Sequence, residues 1–271
     1  MSEQSERAAE AVGRATHLAV SLQRLSVTFT QSDGAEHEVL RGLNLEVPRG
    51  QFIALVGRSG GGKTTILNVL TGLVTPTSGE VGVLGLRPSE ARSHIGFVPA
   101  RDALLPWRNA LRNVEYGLEL RGVPRAERKR IAAHYLALVG LADAGYRWPW
   151  QLSQGMRQRV ALVRAWAIEP ELLLMDEPFA ALDADTRQSV RAKFRTLLQD
   201  GPPRTVVFVT HDLDEAVLMA DRVVVLSGGK IAADTMVPRP DGPDMNSDEL
   251  THTQLDLLRE LRDALREGRR D

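Results

Sequence analysis

The chain has 271 residues, 43% hydrophobic and 25% charged, with 34 Lys+Arg against 35 Asp+Glu. That is ordinary globular composition for one large or two small domains, and the balanced charge gives no argument for nucleic acid or an anionic surface as partner. There is no cysteine, which excludes disulfides, thiolate metal sites and cysteine nucleophiles and suits a reducing compartment.

The start, MSEQSERAAEAVGR, is polar and lacks the apolar core of a secretory signal. Residues 1–16 read as a flexible tail. LAVSLQRLSVTFT alternates apolar and polar residues, a strand pattern. SDGAEH follows as a turn with its Asp-Gly pair, and HEVLRGLNLEV reads as an antiparallel return strand. QFIALVG is a buried strand ending in glycine, and from Lys63 TTILNVLTG has helical spacing up to Gly72. TSGEVGVLG suggests a further short hairpin and HIGFV another strand. Then comes FVPARDALLPWRN, residues 97–109, an apolar loop on the chain's surface.

From 109 to 165 strand signals disappear. NALRNVEYGLELRG and RAERKRIAAHYLALVG carry apolar residues at three-to-four spacing around a Gly-Val-Pro break, so this stretch is a helical insert. The run RAERKR is expected to be a solvated helix face, and Trp148 and Trp150 to pack the following loop against the insert. Strands return with ELLLMDE, a helix over Ala184–Gln199, TVVFVTH, a helix over Leu213–Met219 and RVVVLSGG. VPRPDGPD reads as a linker to a charged amphipathic helix at about 255–266. Alternating strands and helices predict an α/β fold with a mostly parallel sheet covered on both faces. No apolar run approaches the ~20 residues of a spanning helix. The chain is therefore expected in the cytosol, with any membrane role exercised through a partner.

Three strand ends carry chemistry. GRSGGGKTT, residues 57–65, fits G-x-x-x-x-G-K-[ST] between a strand and a helix. Gly57, Arg58, Ser59, Gly60, Gly61 and Gly62 can turn backbone N–H groups toward phosphate oxygens, and the helix N-terminus adds partial positive charge. In such a P-loop Lys63 reaches the β- and γ-phosphates and the Thr64 hydroxyl is a Mg²⁺ ligand, with Thr65 beside it. ELLLMDEP ends in Asp176 and Glu177, at the carboxyl end of a strand where ligand crevices form. Asp176 suits Mg²⁺ and Glu177 suits a base acting on water; the plain alternative is an acidic pair at a helix start. TVVFVTHD places His211 at another strand end, either as a γ-phosphate contact or as a solvated surface group.

QLSQGMRQRVALVRAWAIEP decides between these readings. LSQGM at 152–156 opening a helix resembles the signature motif of ABC-type ATPases, and PFAALD after Glu177 resembles that family's D-loop, ending at Asp183. The P-loop, signature, acidic strand, D-loop and His211 occur in family order, and the resemblance covers roughly residues 17–235. DALLPWR, NVEYGLELRGV and THDLDEAVLMADRVVVLS look like the ATPase subunits of nitrate/sulfonate/taurine-type importers; the substrate does not follow from that.

The resemblance implies a P-loop NTPase core over 17–98 and 166–235, with an N-terminal antiparallel part. It also implies a Q-loop region with helical signature subdomain over 99–165, and a linker with C-terminal helix over 236–271. It implies an ATP- and Mg²⁺-dependent ATPase acting as a head-to-tail homodimer. Ser153, Gln154 and Gly155 of one copy would face the other copy's ATP, with Asp183 at the seam. Phe29 would stack on adenine; its plain alternative is a core residue of an alternating strand. Leu104, Leu105, Pro106 and Trp107 would form the wall that receives a short helix of the transmembrane permease, or its underside packing. An extracytoplasmic solute-binding protein would act indirectly, the subunit would sit peripherally on the cytoplasmic side of the plasma membrane, and no nucleic acid is implied. Two positions depart from the family pattern. Gln154 replaces a signature glycine, and Pro99-Ala100 stands where the family has Phe-Gln, so no glutamine reaches the metal. These departures keep open a weakly hydrolysing or regulatory subunit. DNA-repair relatives with long coiled coils, ribosome-acting relatives with two P-loops and adenylate-type kinases fit less well, since one P-loop and a signature are present.

Overall fold

The structure, a computed structural model, describes residues 17–30, 32–101, 103–199, 202–239 and 250–267. The predicted tail at 1–16, Asp102 and most of the predicted linker lie outside them. In chain order the elements are β1 (Leu18–Thr30), β2 (Glu36–Pro48), β3 (Phe52–Gly57), α1 (Lys63–Leu70), β4 (Ser78–Val83), β5 (Ile95–Val98), α2 (Ala110–Leu120), α3 (Arg125–Leu138), α4 (Gln154–Trp166), β6 (Leu172–Asp176), α5 (Ala184–Gln199), β7 (Thr205–Thr210), α6 (Leu213–Met219), β8 (Arg222–Ser227), β9 (Lys230–Met236) and α7 (His252–Glu267). The chain divides into two compact units, Met1–Ile95 with Pro203–Asp271, and Gly96–Pro202.

The first unit holds an antiparallel sheet in the order β2-β1-β4. Alternation sets its register. Val20 pairs with Val47 and Leu22 with Leu45, all four buried, so a one-residue slip would turn this apolar set to solvent. The segment predicted as a separate hairpin is instead the third strand of this sheet, with Val20 opposite Val83 and Leu22 opposite Val81. Long-range apolar pairing outcompetes the local one. What remains of the hairpin is a tight turn at Leu84–Gly85, across which Val83 and Leu86 exchange backbone bonds of 2.8 and 2.9 Å.

In the same unit β3 lies between β7 and β8, parallel to both. All six residues of β3 and of β7 are buried, which is why neither alternates in sequence. β9 returns antiparallel to β8; its half-exposed alternation marks an edge strand. It was not predicted, although Gly228-Gly229 is a hairpin signal.

The second unit is mainly helical. Asn109 caps α2 by accepting from the Arg112 amide, and α2 puts Leu111, Val114 and Leu118 inside. The chain stops at Gly122, where Val123 N–H returns to the Leu118 carbonyl, and resumes after Pro124 as α3, so α2 and α3 pack together and on α4. Trp166 is fully buried, edge-on to Phe194 at 5.0 Å, and Phe194 meets Phe179 at 6.3 Å. β6 has all five residues buried and neighbours β5.

Candidate functional site

In the first unit the phosphate-type loop spans the gap between β3 and α1. Gly62 is the N-cap of α1 at φ 90°, and no side chain caps the helix. Its first turn stands at the positive end of the helix dipole, where anionic groups are favoured. Lys63 is buried to 6% exposure, and its ammonium donates to the carbonyls of Gly57 at 2.7 Å and Arg58 at 2.8 Å. Thr64 is exposed in the first turn.

His211 lies beside this loop through strand register. Val56 pairs with Thr210, so Gly57 and His211 are the next residues along two neighbouring strands. The backbone around His211 is fixed on both sides. Thr210 Oγ1 donates to buried Glu215 Oε2 at 2.7 Å and accepts from Asp212 N–H at 3.1 Å. Asp212 caps α6, its Oδ1 accepting from the amides of Asp214 and Glu215 at 2.9 and 3.2 Å. A cleft of about 280 Å³ opens against the loop, walled by His37, Glu38 and Val39 of β2, residues 58–61 and the turn at Gly228 and Gly229. Phe29 is 42% exposed and pairs opposite His37; it does not line that cleft.

In the second unit β6 delivers Asp176, 3% exposed. Glu177 follows at φ 46°. A left-handed glutamate is strained by about 1–3 kcal/mol, and such outliers gather at functional sites. The chain then turns through bonds from the Ala180 amide to the Glu177 carbonyl and from the Leu182 amide to the Phe179 carbonyl. This brings residues 181–182 against the signature. A Cβ on Gly155 would meet Leu182 Cδ2 at 3.2 Å and the Ala181 carbonyl oxygen at 3.3 Å. Ser153 caps α4, its Oγ accepting from the Met156 amide at 3.2 Å, and both Ser153 and Gln154 are exposed. Asp183 accepts from the Thr186 amide at 3.0 Å. That bond holds its carboxyl below the usual range, and Arg159 acts in the same direction. The structure thus groups Lys63, Thr64 and His211 in one unit, and Asp176, Glu177, Ser153, Gln154, Gly155 and Asp183 in the other.

The apolar loop resolves into two parts. Leu104 is buried and Leu105 half-buried, while Pro106 and Trp107 are exposed, Trp107 at 69%. The surface of this run is therefore Leu105, Pro106 and Trp107. Ala100 is exposed on a bend after Pro99. The loop's organiser is Asn113, which was not predicted. It is fully buried, accepts from Leu105 N–H at 2.8 Å, and donates to the carbonyls of Leu105, Arg108 and Asn109 at 3.2, 2.8 and 3.1 Å. Its signal in the sequence is an asparagine on the stripe of Ala110, Leu111 and Val114. Asn113→Leu leaves these loop groups unpaired and is expected to destabilise the protein by about 2–4 kcal/mol, measured by urea unfolding. An unchanged midpoint would mean that water replaces the amide.

Beside this loop is a cleft of about 490 Å³ whose walls include Trp107, Tyr146, Arg112, Arg125 and Lys129. Its carboxylates are engaged, Glu119 with Arg108 at 2.6 Å and Glu115 with Arg128 at 3.6 Å. The first amides of α2 are taken by the Arg147 and Gly145 carbonyls at 2.9 and 2.8 Å, which ties the Tyr146 segment to the loop. Trp148 and Trp150 were expected to pack the following loop against the insert, and Trp148 is 38% exposed. They stack on each other at 5.2 Å and 12°, and Trp150 is 68% exposed. Arg130 of the basic run pairs with Glu127 at 2.7 Å on the solvated face, while Arg128 turns inward to Glu115.

Residues 40–180 match the family model described as ABC transporter. An uncharacterized ABC transporter ATP-binding protein of Methanocaldococcus jannaschii is 41% identical over 248 residues, 91% of this chain and 92% of that protein. A taurine import ATP-binding protein of Pseudomonas putida is 45% identical over 208 residues, 77% of this chain and 78% of that protein. A bicarbonate transport ATP-binding protein of Synechocystis is 41% identical over 214 residues, 78% of this chain but 32% of that longer protein. Among solved structures, a dimeric ATP-binding cassette in a post-hydrolysis state with ADP and Pi superposes with a TM-score of 0.74 at 31% identity, covering 81% of this chain and 99% of its own. With the motifs in order, the family model matched over residues 40–180 and a relative 41% identical over 91% of the chain, the chain belongs to the ABC transporter family.

Proposed function

We propose that this chain is the ATP-hydrolysing subunit of an importer of the nitrate/sulfonate/taurine type, powering uptake of a small anion through a separate permease. The supporting observation is the uncapped α1 N-terminus, with left-handed Gly62 and buried Lys63, in a chain 45% identical to a taurine import ATP-binding protein. Lys63 and the amides of residues 58–63 hold the phosphates. Glu177 takes a proton from water, His211 holds the γ-phosphate, and Phe29 stacks on the base. Ser153, Gln154 and Gly155 act across a homodimer on the partner copy's nucleotide, with Asp183 at the seam.

Thr64 and Asp176 fit Mg²⁺, because a hydroxyl and a carboxylate are hard oxygen donors. Among the described residues no group of three or more His, Asp or Glu could hold a metal ion. When bound, Mg²⁺ neutralises phosphate charge as it develops.

No helix among the described residues is long and apolar enough to cross a membrane. The subunit sits on the cytoplasmic face of the plasma membrane by docking on the permease, with the solute-binding protein acting on the far side. Leu105, Pro106 and Trp107, at the edge of the aromatic and basic cleft, are the docking surface.

Ala100 and Gln154 favour a second reading, a weakly hydrolysing or regulatory subunit. One experiment separates the two. Phosphate release is measured for the parent and for Ala100→Gln across a Mg²⁺ titration. A working ATPase releases phosphate as the parent, and Ala100→Gln changes turnover or Mg²⁺ dependence by about two- to tenfold. A parent without turnover that gains it in Ala100→Gln supports the regulatory reading. No change in either parameter means that position 100 is uncoupled from the metal.

A further inference from the structure

Family membership leaves α7 and the residues before it without a task. Their contacts converge on one small helix. Leu257, Leu258 and Leu261 of α7 are buried where it packs on α6, β8 and β9. At the C-terminal end of α6, Arg239 donates to the carbonyls of Val217 at 3.3 Å and Leu218 at 3.2 Å, and to that of Ala220. These are carbonyls that a helix end leaves without intrahelical partners. Gln254 fixes the neighbouring chain, its Nε2 donating to the Pro238 carbonyl at 3.0 Å. At the N-terminal end of α6, Arg262 donates to Asp214 at 3.0 Å. The last turns of α7 run on toward the phosphate loop, where Arg262, Leu265 and Arg266 share a cleft of about 290 Å³ with Arg58.

Helix α6 begins at Asp212, next to His211, and its first turn holds Thr210 and Asp212 through Glu215 and the cap. Holding both ends of α6 therefore holds the backbone from which His211 projects. We infer that residues 237–239 and 250–267 form a clamp on α6, with Arg239 and Arg262 as positioning residues that set His211 for hydrolysis. This rests on the reading of His211 as a γ-phosphate contact. The plain alternative is that α7 only covers the apolar backs of β8, β9 and α6.

The two accounts differ in kinetics. A cover contributes to folding, so its loss lowers the number of working molecules and leaves each survivor normal. Loss of a clamp lets the helix shift and slows turnover in folded molecules that still bind ATP, since small misplacements of a contacting group act on the transition state. The test uses the full chain, with phosphate release normalised to sites titrated with a fluorescent ATP analogue. His211→Ala is the reference and is expected to lose turnover by about a hundredfold. Arg239→Met, which keeps the bulk and removes the donors, is expected to lower kcat by about three- to tenfold with KM for ATP within about twofold, and Arg239→Lys to recover part of it. Arg262 is exposed, so its substitutions spare the fold. Arg262→Asp is expected to lower kcat by about threefold, and Arg262→Asp with Asp214→Arg to restore it.

Normal kcat per titrated site in both Arg239→Met and Arg262→Asp, with His211→Ala impaired, overturns the clamp and leaves the site reading intact. Normal turnover in His211→Ala removes the site reading, and the clamp with it. A charge swap that fails to restore kcat overturns the role given to Arg262.

Discussion

Glu177→Gln is expected to lower ATP hydrolysis by about a thousandfold, the middle of the range for removing a general base, while leaving ATP affinity within about twofold. The substitution keeps the shape and both hydrogen-bonding atoms of the head group and removes the ability to take a proton. Structure favours this position over its neighbour. Asp176 ends β6 as part of the buried strand. Glu177 is half-buried and stands one residue beyond it in a left-handed conformation. A strain of about 1–3 kcal/mol at a non-glycine residue persists only where surrounding structure enforces it. Here the enforcement is the chain of turns through Ala180 and Leu182 that packs residues 181–182 on Gly155. The measurements are phosphate release and size-exclusion chromatography with ATP. Blocked hydrolysis with normal binding should accumulate an ATP-bound dimer, because the step that opens it has been removed. Hydrolysis within about threefold of the parent would place the base elsewhere, since a general base contributes at least about a hundredfold.

The positions of the candidate site residues were legible because they sit at strand ends and helix starts, where local pattern and turn residues mark position. β3 and β7 announce themselves as unbroken apolar runs, and Lys63, Asp176 and His211 follow directly from where such runs stop. What escaped depends on long-range partners. β4 carries turn residues on both sides and reads as half of a hairpin until β1 is seen to supply its apolar face. β9 has the composition of an exposed loop because an edge strand buries little. Asn113 looks like one more polar helix residue. Its importance lies in four bonds to a loop that no periodicity describes. Trp148 and Trp150 have the composition of core and the exposure of surface. The task of Arg239 and Arg262 was out of reach for the same reason. Each acts on carbonyls or a carboxylate 19 to 48 positions away, and sequence spacing carries no record of such pairs.

Gly62→Ala is expected to cost about two orders of magnitude in ATP affinity and about 2–4 kcal/mol in stability, from two separable causes. The first is conformational. Gly62 holds φ 90° as the N-cap of α1, which an L side chain adopts at a cost of about 1–2 kcal/mol. The second is steric. An added Cβ would stand 2.5 Å from Leu40 Cδ2 and 3.2 Å from the Val39 carbonyl oxygen. Leu40 is fully buried and cannot swing out, and Arg41 N–H is bonded to the Gly229 carbonyl at 2.9 Å, so β2 cannot back away either. The loop would have to yield, and with it the amides proposed to hold the phosphates. Isothermal titration with ATP and urea unfolding read the two quantities. Leu40→Ala in the same chain separates the causes. It removes the atom in the way and leaves φ untouched, at its own cavity cost of about 2–5 kcal/mol in stability. If the clash dominates, the double variant regains ATP affinity to within about tenfold of the parent, because the residual φ term is worth about one order of magnitude. If the double variant binds no better than Gly62→Ala, backbone conformation alone sets the cradle. Normal ATP binding by Gly62→Ala would remove this loop from the nucleotide site. The antiparallel sheet is thus drawn into function through Leu40, whose side chain fills the space that only glycine leaves beside the phosphate loop.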